Sequence, residues 1–95
     1  MENMSEEVVV RSIPIVNQMG LHARPAAMLV QAVGNFDCEI TIEKDGTRVN
    51  GKSIMGVMML AAECGSEILV TSRGPDAHKA VEEIERIVKA RFGEE

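Results

Sequence analysis

Asp45-Gly46 lies between two β-prone runs, and it constrains the middle of the chain more tightly than any other feature. Both residue types accept the positive φ angles of a two-residue type I′ turn, so the flanking runs are predicted to pair as an antiparallel hairpin. Upstream, Phe36, Cys38, Ile40 and Ile42 alternate with Asp37, Glu39, Thr41 and Glu43. That period of two is the pattern of a strand with one face buried and one face wet. Downstream, Thr47, Arg48 and Val49 return as its partner.

The rest of the chain adds two strands and three helices. Val8 to Val16 is β-branched and apolar, broken only by Arg11, Ser12 and Pro14, and Pro14 confines that strand to an edge or to its own end. A helix is predicted from about His22 to Val33, with Ala26, Leu29, Val30 and Val33 on one stripe and Gly34-Asn35 as its stop. A short apolar helix starts near Ser53 and carries Ile54, Val57, Met58 and Ala61. Glu67 to Ser72 contains Ile68, Leu69 and Val70 in succession and reads as a continuously buried strand. Gly74-Pro75-Asp76 introduces the last helix. Ala77, Ala80, Val81, Ile84, Ile87 and Val88 share one face of it, opposite Lys79, Glu82, Glu83, Glu85 and Arg86. Gly93-Glu94-Glu95 is expected to fray. The predicted order is βαββαβα, an α+β domain whose four-stranded sheet, mixed or antiparallel, carries three helices on one face. Residues 1–7 are acidic and polar and read as a disordered leader, which leaves 8–92 as a single domain.

Composition removes several function classes. Phe36 and Phe92 are the only aromatic residues and the net charge is −5. Nucleic-acid binding, which draws on cationic excess and stacking rings, is therefore not expected. Cys38 and Cys64 form no CxxC pair and have no histidine at ligand spacing, so they read as small buried or half-buried apolar residues. His78, the second histidine, belongs to another helix and reads as a solvated first-turn residue. No metal and no cofactor is expected. No apolar run approaches the about 20 residues that span a bilayer, and the first residues carry no signal-peptide pattern. The expected location is the cytoplasm, with no membrane insertion.

Chemistry concentrates at the first helix start. From Met19 to Pro25 the chain reads M-G-L-H-A-R-P, without the Ser, Thr, Asp or Asn that ordinarily caps a helix. Pro25 is tolerated in the first turn, and Gly20 permits a sharp bend before it. An uncapped helix N-terminus favours anions through its free N–H groups and positive dipole end. His22 places a nucleophilic imidazole there, and Arg24 adds a planar fork that matches phosphate oxygens. Nucleophile, cation and backbone donors are what phosphoryl transfer requires of a protein.

G-L-H-A-R-P-A-A, residues 20–27, resembles the active-site signature of the HPr family, the histidine-containing phosphocarriers of the bacterial phosphoenolpyruvate-dependent sugar phosphotransferase system. K-S-I-M-G-V-M, residues 52–58, resembles that family's regulatory serine segment, and the likeness runs from the first strand to the last helix. The resemblance implies an open-faced β-sandwich. It implies that His22 accepts phosphate on Nδ1 from phosphorylated enzyme I and passes it to enzyme IIA, while Arg24 neutralises the phosphoryl charge. It further implies that an HPr kinase/phosphorylase modifies Ser53 and lowers transfer through His22. Ser53 also fits the N-cap of its own helix, and Ile54, Met55 and Met58 are expected to face partners. The protein is expected to act as a monomer, a carrier without turnover of a small substrate of its own. One departure is Met19, where many members carry Ser or Asn. A carrier of the nitrogen-related regulatory branch and a non-catalytic α+β binding module remain as alternatives at this level.

Overall fold

A computed structural model describes residues 7–94. The expected disordered leader lies outside the described residues except for Glu7, and Glu95 lies outside them as well. Four strands form one sheet: β1 (Glu7–Pro14), β2 (Glu39–Lys44), β3 (Thr47–Asn50) and β4 (Glu67–Gly74). Their spatial order is β1-β4-β2-β3 and every pairing is antiparallel. The sheet is thus antiparallel throughout, the second of the two arrangements left open by the alternation.

The hairpin turns where the sequence places it, with φ of 51° at Asp45 and 85° at Gly46. Pro14 ends β1 at the sheet edge, where its missing N–H interrupts no inner ladder. Strand β2 starts three residues later than its alternation suggests, because Phe36 and Cys38 bond locally to Val33 and Phe36 in a turn. Strand β4 departs from the expected continuous burial. Ile68, Val70 and Ser72 point into the core, whereas Leu69 and Arg73 face solvent. Leu69 is 39% exposed, so the apolar run of three reflects one wet position on an open sheet face.

Three helices cover the other face: α1 (Ala23–Val33), α2 (Ile54–Met59) and α3 (Ala77–Lys89). Helix α1 packs against α2 and α3, and α3 lies over β1 and β4. Leu29 and Val33 of α1, Val57 of α2, and Val81, Ile84 and Val88 of α3 meet Ile13, Ile40, Ile42, Ile68 and Val70 of the sheet in one core. Each such side chain contributes about 1.5–3 kcal/mol of hydrophobic transfer, and the buried core they form is aliphatic apart from Phe92. Gly34 stands at the α1 C-cap with right-handed φ of −60°, not in the left-handed conformation usual for a terminating glycine. Cys38 is half-buried as expected; Cys64 is exposed, because it belongs to the turn before β4 and not to the core. Among the described residues, no helix is long and apolar enough to cross a membrane.

The chain beyond α3 does not fray at Gly93 and Glu94. Arg91–Gly93 forms a 3-10 turn with φ of 58°, 55° and 74° at Arg91, Phe92 and Gly93. The turn is held by Phe92, which is 1% exposed and packs into the core. The reversal returns Glu94 to the helical side of the domain, beside His22.

Candidate functional site

His22 occupies the N-cap position of α1 with extended backbone, φ −83° and ψ −168°, and its side chain caps nothing. The first helical bond runs from Ala26 N to His22 O at 3.0 Å. No acidic residue stands in the first turn, so the amide donors and the positive end of the dipole face outward uncompensated. Pro25 is buried in this turn and contributes no donor.

The loop that delivers His22 is fixed by close backbone contact. Gly20 has φ of 69°, and a Cβ there would collide with the Ala62 carbonyl oxygen and stand 2.9 Å from Glu63 Cα. Leu21 N donates to that same carbonyl at 2.8 Å, and the Leu21 side chain is buried. Asn17, fully buried, braces the turn from inside: its Nδ2 donates to Gly20 O at 2.8 Å and to Glu94 Oε1 at 3.1 Å.

Glu94 meets the histidine with its other oxygen, Oε2 lying 3.0 Å from His22 Nε2. Side-chain exposure is 36% for His22 and 14% for Glu94. Partial burial pushes the Glu94 carboxyl up. The hydrogen bonds from Asn17 and His22, with the charges of His22 and Arg24, outweigh that and hold it below the usual carboxylate range. Arg24, second residue of α1, is exposed; its charge acts on Glu94, but its guanidinium makes no hydrogen bond or ion pair among the described residues. The site therefore presents an imidazole, an uncommitted guanidinium and free helix-end amides on one surface. Among the described residues no cluster of metal-ligating side chains exists.

The residues expected from the sequence to be regulatory or to dock partners all belong to the start and length of α2, and one of them, Met58, reaches the histidine. Ser53 is the N-cap of α2 and accepts from Gly56 N at 3.1 Å. Lys52 Nζ donates to Phe36 O at 2.7 Å and ties the α2 start to the segment after α1. Ile54, Met55 and Met58 are all exposed, Met55 to 71%. Met58 joins Met19, Leu21, His22 and Ala62 around a cleft of about 300 Å³. Through Met58, α2 and the histidine share this cleft. Met19, at 70%, is exposed at the cleft rim, and Met59 of α2 is exposed to 72%.

Sequence reasoning missed Glu94 and Asn17. Glu94 carries no periodic signal and falls in the Gly93-Glu94-Glu95 segment expected to fray; the burial of Phe92 that holds it on the domain emerges only from the structure. Asn17 reads as a pattern breaker at a strand end, a place where Asn is ordinarily solvated. His78 is exposed on α3, 3.4 Å from Glu82, remote in role from the site.

With this geometry in place, comparison with known proteins is specific. A family model described as "PTS HPr component phosphorylation site" matches residues 9–90. The phosphocarrier protein HPr of Treponema pallidum is 49% identical over 88 residues, covering 93% of this chain and 100% of that protein. Its counterpart from Cupriavidus necator is 44% identical over 84 residues, with 88% and 94% covered. The crystal structure of HPr from Thermoanaerobacter tengcongensis superposes with a TM-score of 0.87 at 40% identity, covering 92% of this chain and 98% of that one.

Proposed function

This chain belongs to the HPr family of phosphocarriers of the phosphotransferase system, and from that membership we propose that His22 takes a phosphoryl group from phosphorylated enzyme I and hands it to enzyme IIA. The observation that carries the reading is the uncapped start of α1, with His22 at the N-cap and Arg24 unpaired beside it.

The chemistry follows from that placement. A lone pair of the neutral imidazole attacks phosphorus; the bond from phosphorus to the donor's leaving atom breaks, and its electron pair returns to the donor. Phosphoryl oxygens then lie against the helix-end amides and the Arg24 guanidinium. These groups stabilise charge without a strong base to activate water, so the phosphoramidate persists long enough to be passed on. The face of Met19, Ile54, Met55 and Met58 gives two different partners a deformable apolar contact. The protein acts as a monomer in the cytoplasm in this reading.

Ser53 is the second control point. A phosphate on Ser53 would sit at the N-terminus of α2, where the dipole tolerates it, so the domain stays folded. Its charge would stand on the face that partners cover and would weaken their docking. An HPr kinase/phosphorylase is the proposed agent.

A pulse-chase experiment tests the relay. The protein is charged from labelled phosphoenolpyruvate through enzyme I, separated, and mixed with enzyme IIA. Label is expected to move to enzyme IIA; label that stays on this chain removes the carrier reading. For Ser53, modification by ATP and the kinase should vanish in Ser53→Ala, and persistence there would remove its regulatory role.

A further inference from the structure

We propose that Glu94 is the positioning residue of the phosphoryl acceptor: its carboxylate holds His22 in the Nε2–H tautomer and thereby offers Nδ1 as the attacking atom. The inference rests on the reading of His22 as the acceptor and adds a residue beyond the matched family segment 9–90.

A carboxylate can only accept a hydrogen bond. With Glu94 Oε2 at 3.0 Å from Nε2, the neutral ring must carry its proton on that nitrogen, and its lone pair lies on Nδ1. Two further observations distinguish this contact from an incidental surface pair. Glu94 is fixed at both oxygens, since Oε1 accepts from Asn17, which is itself fully buried. Its backbone is delivered by the Phe92 anchor and the left-handed turn around it. Asn17 also bonds Gly20 O, so one buried amide sets both the loop that carries His22 and the carboxylate that orients it.

Transfer keeps this arrangement. Nδ1 forms the new bond to phosphorus as the donor's bond breaks, and the electron pair leaves with the donor atom. The ring then bears phosphorus on Nδ1 and hydrogen on Nε2, with a positive charge that Glu94 faces directly. Arg24, free of hydrogen bonds in the first turn of α1, is available to the phosphoryl oxygens. The carboxylate thus acts on the imidazole, never on the phosphoryl group.

Glu94→Ala and Glu94→Gln test the proposal, each checked for an unchanged amide spectrum. The ring ¹⁵N shifts of His22 in the unphosphorylated protein read the tautomer, and steady-state phosphorylation by enzyme I reads the rate. The parent protein is expected to show Nε2–H with unprotonated Nδ1. Glu94→Ala is expected to show mixed tautomers and a kcat lower by about tenfold, the scale of one charge-assisted hydrogen bond, with the KM of enzyme I for this protein unchanged. Glu94→Gln keeps an acceptor in place and is expected to restore the tautomer. An Nδ1–H ring in the parent, or parental ring shifts or kcat in Glu94→Ala, would overturn the proposal. Failure of the parent to accept phosphate would instead remove the carrier reading, since the ring shifts are read without it.

Discussion

Gly20 shows how a single residue sets the loop that carries His22. Its φ of 69° is unfavourable for a side chain, and the space a Cβ needs is taken by the backbone at Ala62 and Glu63. Gly20→Ala is expected to lower stability by about 1–3 kcal/mol, read from the denaturation midpoint, and to slow phosphorylation because His22 shifts with the loop. Unchanged stability and rate would show that the loop is more accommodating than its packing implies. At this scale the placement of the site residues was legible: His22 stands at the N-cap of α1 with Arg24 in its first turn, and Ser53 caps α2, because helix-start signals are local. Asn17 and Glu94 were not legible for the opposite reason: their meaning depends on a contact across 77 residues.

Among the elements, periodicity decided what could be read. Helix α3 places its six predicted apolar residues on one buried face, and α1, predicted from about His22 to Val33, runs Ala23–Val33. Strand β4 was harder, because Ile68, Leu69 and Val70 are equally apolar while only the alternate ones are buried. An antiparallel sheet with an open face leaves an occasional Leu in water, and hydropathy alone does not reveal which. The turn after α3 was missed because it is stabilised by one tertiary anchor and not by a local signal. Phe92→Ala should therefore do two things. It is expected to cost about 3–5 kcal/mol through loss of buried volume. It should also release Glu94, so that His22 shows mixed tautomers even where denaturant titration finds the domain folded. A variant that loses stability but keeps the parental ring shifts would separate the anchor from the site.

Across the whole molecule, carboxylates link elements distant in sequence. Glu85 of α3 meets Arg11 of β1 at 2.8 Å, and Glu94 meets His22 at 3.0 Å. The Arg11 hydrogen bond outweighs desolvation and, with the charges of Lys89 and Arg11, holds Glu85 below its ordinary value of 4.5. Glu94 is depressed likewise, against the upward push of burial. A carboxylate depressed on folding binds its proton more readily in the unfolded chain, so stability rises with pH through this range. Its contribution is complete above the ordinary value of 4.5 and is lost as the pH falls through the lower folded values. Denaturant titrations from about pH 6 to about pH 3 should show this decline, and Arg11→Met should flatten part of it. A profile unaffected by that substitution would remove the Glu85 contribution. The account as a whole depends on His22 and is tested most directly by the intact mass of the protein after incubation with phosphoenolpyruvate and enzyme I. One added phosphoryl group, labile to acid and absent in His22→Ala, is the predicted result; an acid-stable product, or labelling that survives His22→Ala, would contradict it.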